Sequence, residues 1–200
     1  MRTTSPSATA AAHSATPAAP RPPRSQRPPR AAVPALPSMA TLDRTHHRML
    51  GVLADLVALV DRLQSTGLDT EARRSAKAIC KFFFETARQH HADEEILVFP
   101  ALIRQGDPAL IGHVLRLQQD HGWLEEDWLE LAPQLQAVAE GYSWYELDGL
   151  RQGVAVFTAL YQEHIALEES LVYPEARRQM ATEDASRDQR LAERVEPGAA

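Results

Sequence analysis

The sequence predicts an all-α fold, an up-down-up-down four-helix bundle. Apolar residues recur at steps of three and four along four stretches, each bounded by glycine, proline or a residue suited to capping. Strict alternation of apolar and polar residues, the mark of a strand, is absent from the sequence. The stretches are roughly 25–30 residues long and their connections are short, which favours antiparallel neighbours.

The first helix is expected to follow Ser38 as N-cap. Its stripe runs Leu42, Met49, Leu53, Leu56, Val60 and Leu63 and ends before Gly67, with His46 in the empty slot. Asp69 is placed to cap the second helix, which has Glu71 in its first turn. The inner face of that helix carries Ile79, Phe83, His90, Glu94 and Leu97, and Pro100 should bend or end it. Gly106, Asp107 and Pro108 supply the turn, cap and first residue of a third helix. This one runs through Leu110, Val114, Leu117, His121, Leu124 and Trp128. Pro133 is expected to kink or interrupt it, and Gly141 to close it. Ser143 and Glu146 have the spacing of a capping box. They should start a fourth helix that faces Leu150, Phe157, Leu160, Tyr161, His164, Glu168 and Leu171 inward. Trp123, Trp128 and Trp144 are expected in a core or an interface.

Residues 1–38 read as a tail, 39–178 as the bundle and 179–200 as a polar extension. The first 40 residues hold nine of the 14 prolines, five arginines and no acid. Such a segment cannot bury enough apolar surface to offset the entropy of ordering it, so disorder is expected. It lacks the apolar core of a secretory signal, and its prolines spoil the amphipathic helix of a transit peptide. The rest of the chain carries 16 basic and 27 acidic side chains, a formal −11, which argues against nucleic acid as a partner. No apolar run reaches the ~18 residues of a membrane span. One cysteine, Cys80, excludes an internal disulfide and suits a reducing cytoplasm; set among Ile79 and Phe82 to Phe84, it reads as a small buried hydrophobe.

The chemistry lies in a repeat. Residues 90–100 and 164–174 share one frame of His, three residues, Glu-Glu, four residues and Pro, 74 residues apart. His90 thereby matches His164, Glu94 matches Glu168, and Phe99 with Pro100 matches Tyr173 with Pro174. A His and a Glu four apart on a helix stand one turn above each other and can reach one cation. Every predicted helix sets one histidine on its inner stripe, namely His46, His90, His121 and His164, and three of these have a glutamate four residues on, Glu94, Glu125 and Glu168. An apolar core does not accept that many imidazoles and carboxylates without compensation, and metal cations supply it. With no thiolate in the set, the donors suit two octahedral first-row ions bridged by carboxylates, iron first and manganese second. Glu94 and Glu168 are the expected bridges. The doublets leave alternatives open. His46 is preferred to His47, and His90 with Glu94 to His91 with Glu95, because the first of each pair fits the stripe or the repeat.

These motifs resemble the hemerythrin-like, HHE cation-binding family. The residues that carry the resemblance are Asp43 with His46; His90, Glu94 and Glu95 with Phe99 and Pro100; Asp120, His121 and Glu125; and His164, Glu168 and Glu169 with Tyr173 and Pro174. The resemblance implies a four-helix bundle with a non-haem di-iron centre held by histidines and two bridging carboxylates. It implies a small oxidant as partner: oxygen, peroxide or nitric oxide. Oxygen-carrying members of the family have a second histidine in the third helix where this chain has Glu125, and an aspartate five residues after the last histidine rather than Glu168 at four. An anionic ligand there would favour the ferric state over reversible oxygen carriage. A different class of reading stays open beside this one, a non-catalytic iron binder or a redox or oxygen sensor acting through a partner. Whether the protein is an enzyme is left open by the sequence.

Overall fold

The computed structural model describes residues 38–195, and the tail expected at 1–38 lies outside them except for Ser38. The described residues are helical apart from short connections. The elements are α1 (Met39–Ser65), α2 (Thr70–Lys81), a π turn (Phe82–Ala87), α3 (Arg88–Leu97), α4 (Phe99–Gln105), α5 (Pro108–Glu140), α6 (Leu147–Leu167), a second π turn (Glu168–Val172) and α7 (Tyr173–Val195). They form four arms: α1; α2 through α4; α5; and α6 through α7. α1 packs on α2 and α6, and α5 packs on the same two, which gives the square section of an up-down-up-down bundle.

Capping follows the residue chemistry, with two corrections. Asp69 accepts from the Ala72 amide at 2.8 Å and is held by Arg62, so α2 begins on a satisfied end. Asp107 accepts from the amides of Ala109 and Leu110, and Pro108 takes the first helical position. Ser38 has the extended backbone of an N-cap, but its hydroxyl turns to the Thr41 hydroxyl instead of an amide. The capping box at Ser143 does not form: Glu146 itself is the N-cap of α6, accepting from the Gly149 amide at 2.7 Å. At the other end of the connection, Gly141 closes α5 at φ 90, a conformation that costs a glycine little.

Pro133 does not interrupt α5, which is continuous. The residue four back, Leu129, is on the solvent side at 62 % exposed, where water can serve the carbonyl that loses its partner. Pro100 falls just after a break at Val98 and is absorbed into the first turn of α4. Leu171, expected inside, is exposed because the second π turn changes the phase of the helix there; Trp123 and Trp144 are exposed as well, while Trp128 is buried.

The apolar core comes in two parts. The larger lies between α1, α2, α5 and α6 and contains Leu53, Leu56, Phe83, Leu135 and Phe157. The smaller lies at the end where α4, the start of α5 and the start of α7 meet, and contains Leu42, Phe99, Leu102, Leu117 and Tyr173. Each fully buried side chain of this size contributes about 1.5–3 kcal/mol. The buried polar residues His46, His90, Glu94, His121, His164 and Glu168 are drawn from all four arms.

Candidate metal centre

Six of the seven residues singled out in the sequence come together. Ligand atoms of His46, His90, Glu94 and Glu168 lie within 4.8 Å of one another, and so do those of Glu94, His121, His164 and Glu168. The two groups share both carboxylates. Glu168 has Oε2 3.1 Å from His46 Nε2 and Oε1 3.4 Å from His164 Nε2. Glu94 has Oε1 3.3 Å from His90 Nε2 and Oε2 3.5 Å from His121 Nε2. The Tyr173 hydroxyl donates to Glu94, and its ring stacks on His46 with centroids 5.1 Å apart.

The donors are aimed rather than merely close. Imidazole has two nitrogens, and a contact at one fixes which way the other points. His46 Nδ1 meets Glu169 Oε1 at 3.1 Å, His121 Nδ1 meets Glu95 Oε1 at 3.1 Å, and His164 Nδ1 lies 3.8 Å from Asp120 Oδ2. In His46 and His121 Nε2 is thereby left for the centre, while His164 Nδ1 stands near Asp120 without a hydrogen bond. Among the described residues, the buried atoms His90 Nε2, Glu94 Oε2, His121 Nε2, His164 Nε2 and both Glu168 carboxylate oxygens have no hydrogen-bond partner. A buried polar atom left bare costs about 1–3 kcal/mol, so this many in one place fit cations that coordinate them. The donor set is imidazole nitrogen and carboxylate oxygen without sulfur, the choice of a first-row ion.

Protonation follows position. Burial would lower His164, but Glu168 and Asp120 beside it raise it to about 10. Burial opposes His46 too, and Glu168 with Glu94 outweigh it upward. Burial alone would raise Glu168, yet His164 and His46 hold it well below the usual carboxylate range. Glu94 goes the other way, pushed up to about 7 by burial and by the Glu168 charge. His90 is pushed down to about 3 by burial and by the neighbouring His46. Its nitrogens are therefore neutral near pH 7, the form that ligates a metal.

Glu125 is not brought to the centre. It is turned to solvent, its side chain 63 % exposed and 4.0 Å from Arg88, and it joins no cluster of ligand atoms. Four residues advance an α-helix about 40° beyond a full turn. His121 is at the rim of the bundle already, 8 % exposed, so that advance carries Glu125 outward. In its place the structure offers His91, whose ligand atom groups with those of His121 and His164. Its ring stacks on His121 with centroids 4.1 Å apart, and burial together with His121 and His164 lowers its pKa well below the usual value. The repeat favours His90 over His91, because it is His90 that aligns with His164. The signal that could have found it is the His-His doublet itself. His47, by contrast, is exposed, and its Nδ1 lies 3.2 Å from the Asp43 carbonyl oxygen.

A cavity of about 350 Å³ opens on the His91 and His121 side of this layer. Among the described residues, no helix is long and apolar enough to cross a membrane.

The family model of the hemerythrin HHE cation binding domain matches residues 38–176. An uncharacterized protein of Haemophilus influenzae is 30% identical over 126 residues, 63% of this chain and 71% of that protein. No solved structure matches the chain.

Proposed function

The chain belongs to the hemerythrin HHE cation-binding family, and on that premise we propose that it holds two iron ions and reacts with a small oxidant: oxygen, peroxide or nitric oxide. The observation that carries the reading is the sharing of Glu94 and Glu168 between two groups of histidines. A single-ion site has no use for both groups. His46 and His90 would hold one ion, His121 and His164 with His91 the other, and the two glutamates would bridge. Manganese fits the same donors less well matched to so many imidazoles.

Bound iron would supply the electrons for reducing the oxidant. The chain's own residues set the conditions. Glu169 and Glu95 orient the imidazoles of His46 and His121 through Nδ1. Apolar residues above and below, Leu53 and Phe157 in one core and Phe99 and Leu117 in the other, exclude water there, and the cavity beside His91 and His121 leaves one side accessible. The Tyr173 hydroxyl donates a hydrogen bond to Glu94 and lies 3.3 Å from His46 Nε2, so one proton is held at the edge of the centre. With Glu125 outside the cluster, its anionic charge no longer argues against oxygen carriage, and His91 adds a neutral nitrogen on that side.

Elemental analysis of the purified protein should give about two irons per chain. His164→Ala and Glu168→Ala should each lose at least one. Wild-type stoichiometry in both variants would overturn the assignment. Anaerobic mixing of the reduced protein with each oxidant in turn, followed by absorption, identifies the partner.

A further inference from the structure

The repeat that supplies both bridging glutamates differs between its copies at one buried oxygen. Phe99 and Tyr173 occupy matching positions, and both are 0 % exposed. Each ring lies against a histidine of the centre. Phe99 stacks on His121 with centroids 5.6 Å apart and planes at 19°, and Tyr173 stacks on His46 at 5.1 Å and 10°. The Tyr173 hydroxyl is therefore carried into the His46 side of the centre, and Phe99 brings no counterpart to the His121 side.

That oxygen stands among donor atoms. It is 3.3 Å from His46 Nε2 and donates a hydrogen bond to Glu94 Oε1. The same Glu94 oxygen is 3.3 Å from His90 Nε2 and 3.8 Å from His46 Nε2, while His46 Nε2 is 3.1 Å from Glu168 Oε2. Two donors at right angles on one first-row ion, each about 2.1 Å from it, stand about 3 Å apart. The spacing of the phenol oxygen from His46 is thus of the same kind as that of the carboxylates, and an ion taken by His46 and Glu94 meets this oxygen too.

The donor count gives the oxygen a use. His91, His121 and His164 with the two shared glutamates offer five donors on one side, whereas His46 and His90 with the same glutamates offer four on the other. An octahedral ion takes six. A phenol oxygen raises the poorer side to five. Phenolate is a hard anionic oxygen, a kind that iron accepts, as the tyrosine ligand of some haem irons illustrates.

We infer that Tyr173 is a metal ligand: its oxygen coordinates the ion held by His46 and His90, and the ion on the other side has Phe99 where a matching donor would stand. Coordination exchanges a proton for the metal. The phenol O–H bond breaks, an O–Fe(III) bond forms, the proton leaves to solvent and no electron moves. The inference rests on the two-iron reading, and the iron content of each sample separates the failure of one from the failure of the other.

Absorption and resonance Raman spectroscopy of the ferric, iron-loaded full chain test it. Iron(III)–phenolate coordination gives a broad visible charge-transfer band and, on excitation within that band, the ring vibrations of tyrosinate. Wild-type protein should show both. Tyr173→Phe should lose both, and Tyr161→Phe, which alters a ring 5.7 Å from His91, should keep them. Circular dichroism and elemental analysis on the same samples establish that each variant is folded and loaded. The chain has four tyrosines, and the other two, Tyr142 and Tyr145, lie in the connection between α5 and α6. Bands kept in Tyr161→Phe therefore support the inference without the second variant. Wild-type protein with two irons and no phenolate bands, or bands that survive in Tyr173→Phe, overturns the inference and leaves the two-iron reading standing. A chain that takes up no iron overturns both.

Discussion

His46 faces consecutive glutamates with its two ring nitrogens: Nε2 is 3.1 Å from Glu168 and Nδ1 is 3.1 Å from Glu169. His121 stands in the same relation to Glu94 and Glu95, at 3.5 Å and 3.1 Å. The Glu-Glu doublet of the repeat thus has one division of labour in both copies. The first residue turns into the centre, and the second reaches a histidine on another arm from outside.

Glu169→Gln and Glu95→Gln should therefore weaken metal binding by about 10–100-fold without unfolding the bundle, because the ring would lose its orienting carboxylate and keep its nitrogen. Competition with a chelator of known affinity checks this. Unchanged affinity in both variants would show that the outer contacts do not position the rings.

Glu125→Gln should leave iron content at the wild-type level, since its side chain faces solvent. His91→Ala should lower the occupancy on the His121 and His164 side. Metal analysis of the two variants side by side separates a ligand in the second arm from one in the third.

The contrast between Glu125 and His91 shows what was legible in the sequence. His46, His90, His121 and His164 were readable because each occupies a slot in an apolar stripe, and burial of the stripe buries the histidine with it. Glu94 and Glu168 were readable from the repeat. Glu125 was read inward by the same four-residue rule, which says nothing of how near its histidine lies to the rim. His91 is hidden because the repeat aligns only His90 with His164 and carries no sign that the neighbouring ring groups with His121 and His164 as well. The doubled carboxylates were visible as residues but not as contacts, since the Glu169 contact links residues 123 apart in the chain. Glu146 was read as a helper to Ser143; the local choice between two adjacent caps depends on backbone angles that composition does not determine.

Metal removal should lower the melting temperature, and the gap between loaded and chelated protein should widen as pH rises from about 6 to 9. His164 is raised to about 10 in the fold. Its stability contribution to the chelated protein is thus fully present below its unfolded value near 6.5 and is lost as pH rises through the folded one. Glu94, raised to about 7, acts in the same direction over a lower range, from its unfolded value upward. Protons also compete with metal for both residues, so loading gains as chelated stability falls. Melting curves of both forms across that range test it; a gap that narrows with rising pH would contradict the direction.

Phe157→Ala should destabilise the bundle by about 3–5 kcal/mol, the cost of deleting a fully buried aromatic side chain. Phe157 is 0 % exposed and packs against Phe83 and Tyr161. Urea unfolding of the loaded protein measures it.

The two π turns make the centre sensitive to chain length in a way that no single contact does. Each sits in an arm that carries one copy of the repeat, the first ahead of His90, His91 and Glu94 and the second beginning at Glu168. A π turn holds one residue more than an α turn, so it works as a phase offset between the helix before it and the helix after it. Removing one residue, Glu85 for instance, lets the turn relax to α geometry and keeps the helix beyond it in phase with the upstream stripe, whereas removing one from a regular α turn rotates everything beyond it by about 100°. In that second case the apolar residues of α2 and the donors of α3 could no longer face inward together. A deletion scan should therefore spare iron at the exposed Glu85 and lose it at Arg74 in α2, an asymmetry between two single deletions that leave composition almost unaltered.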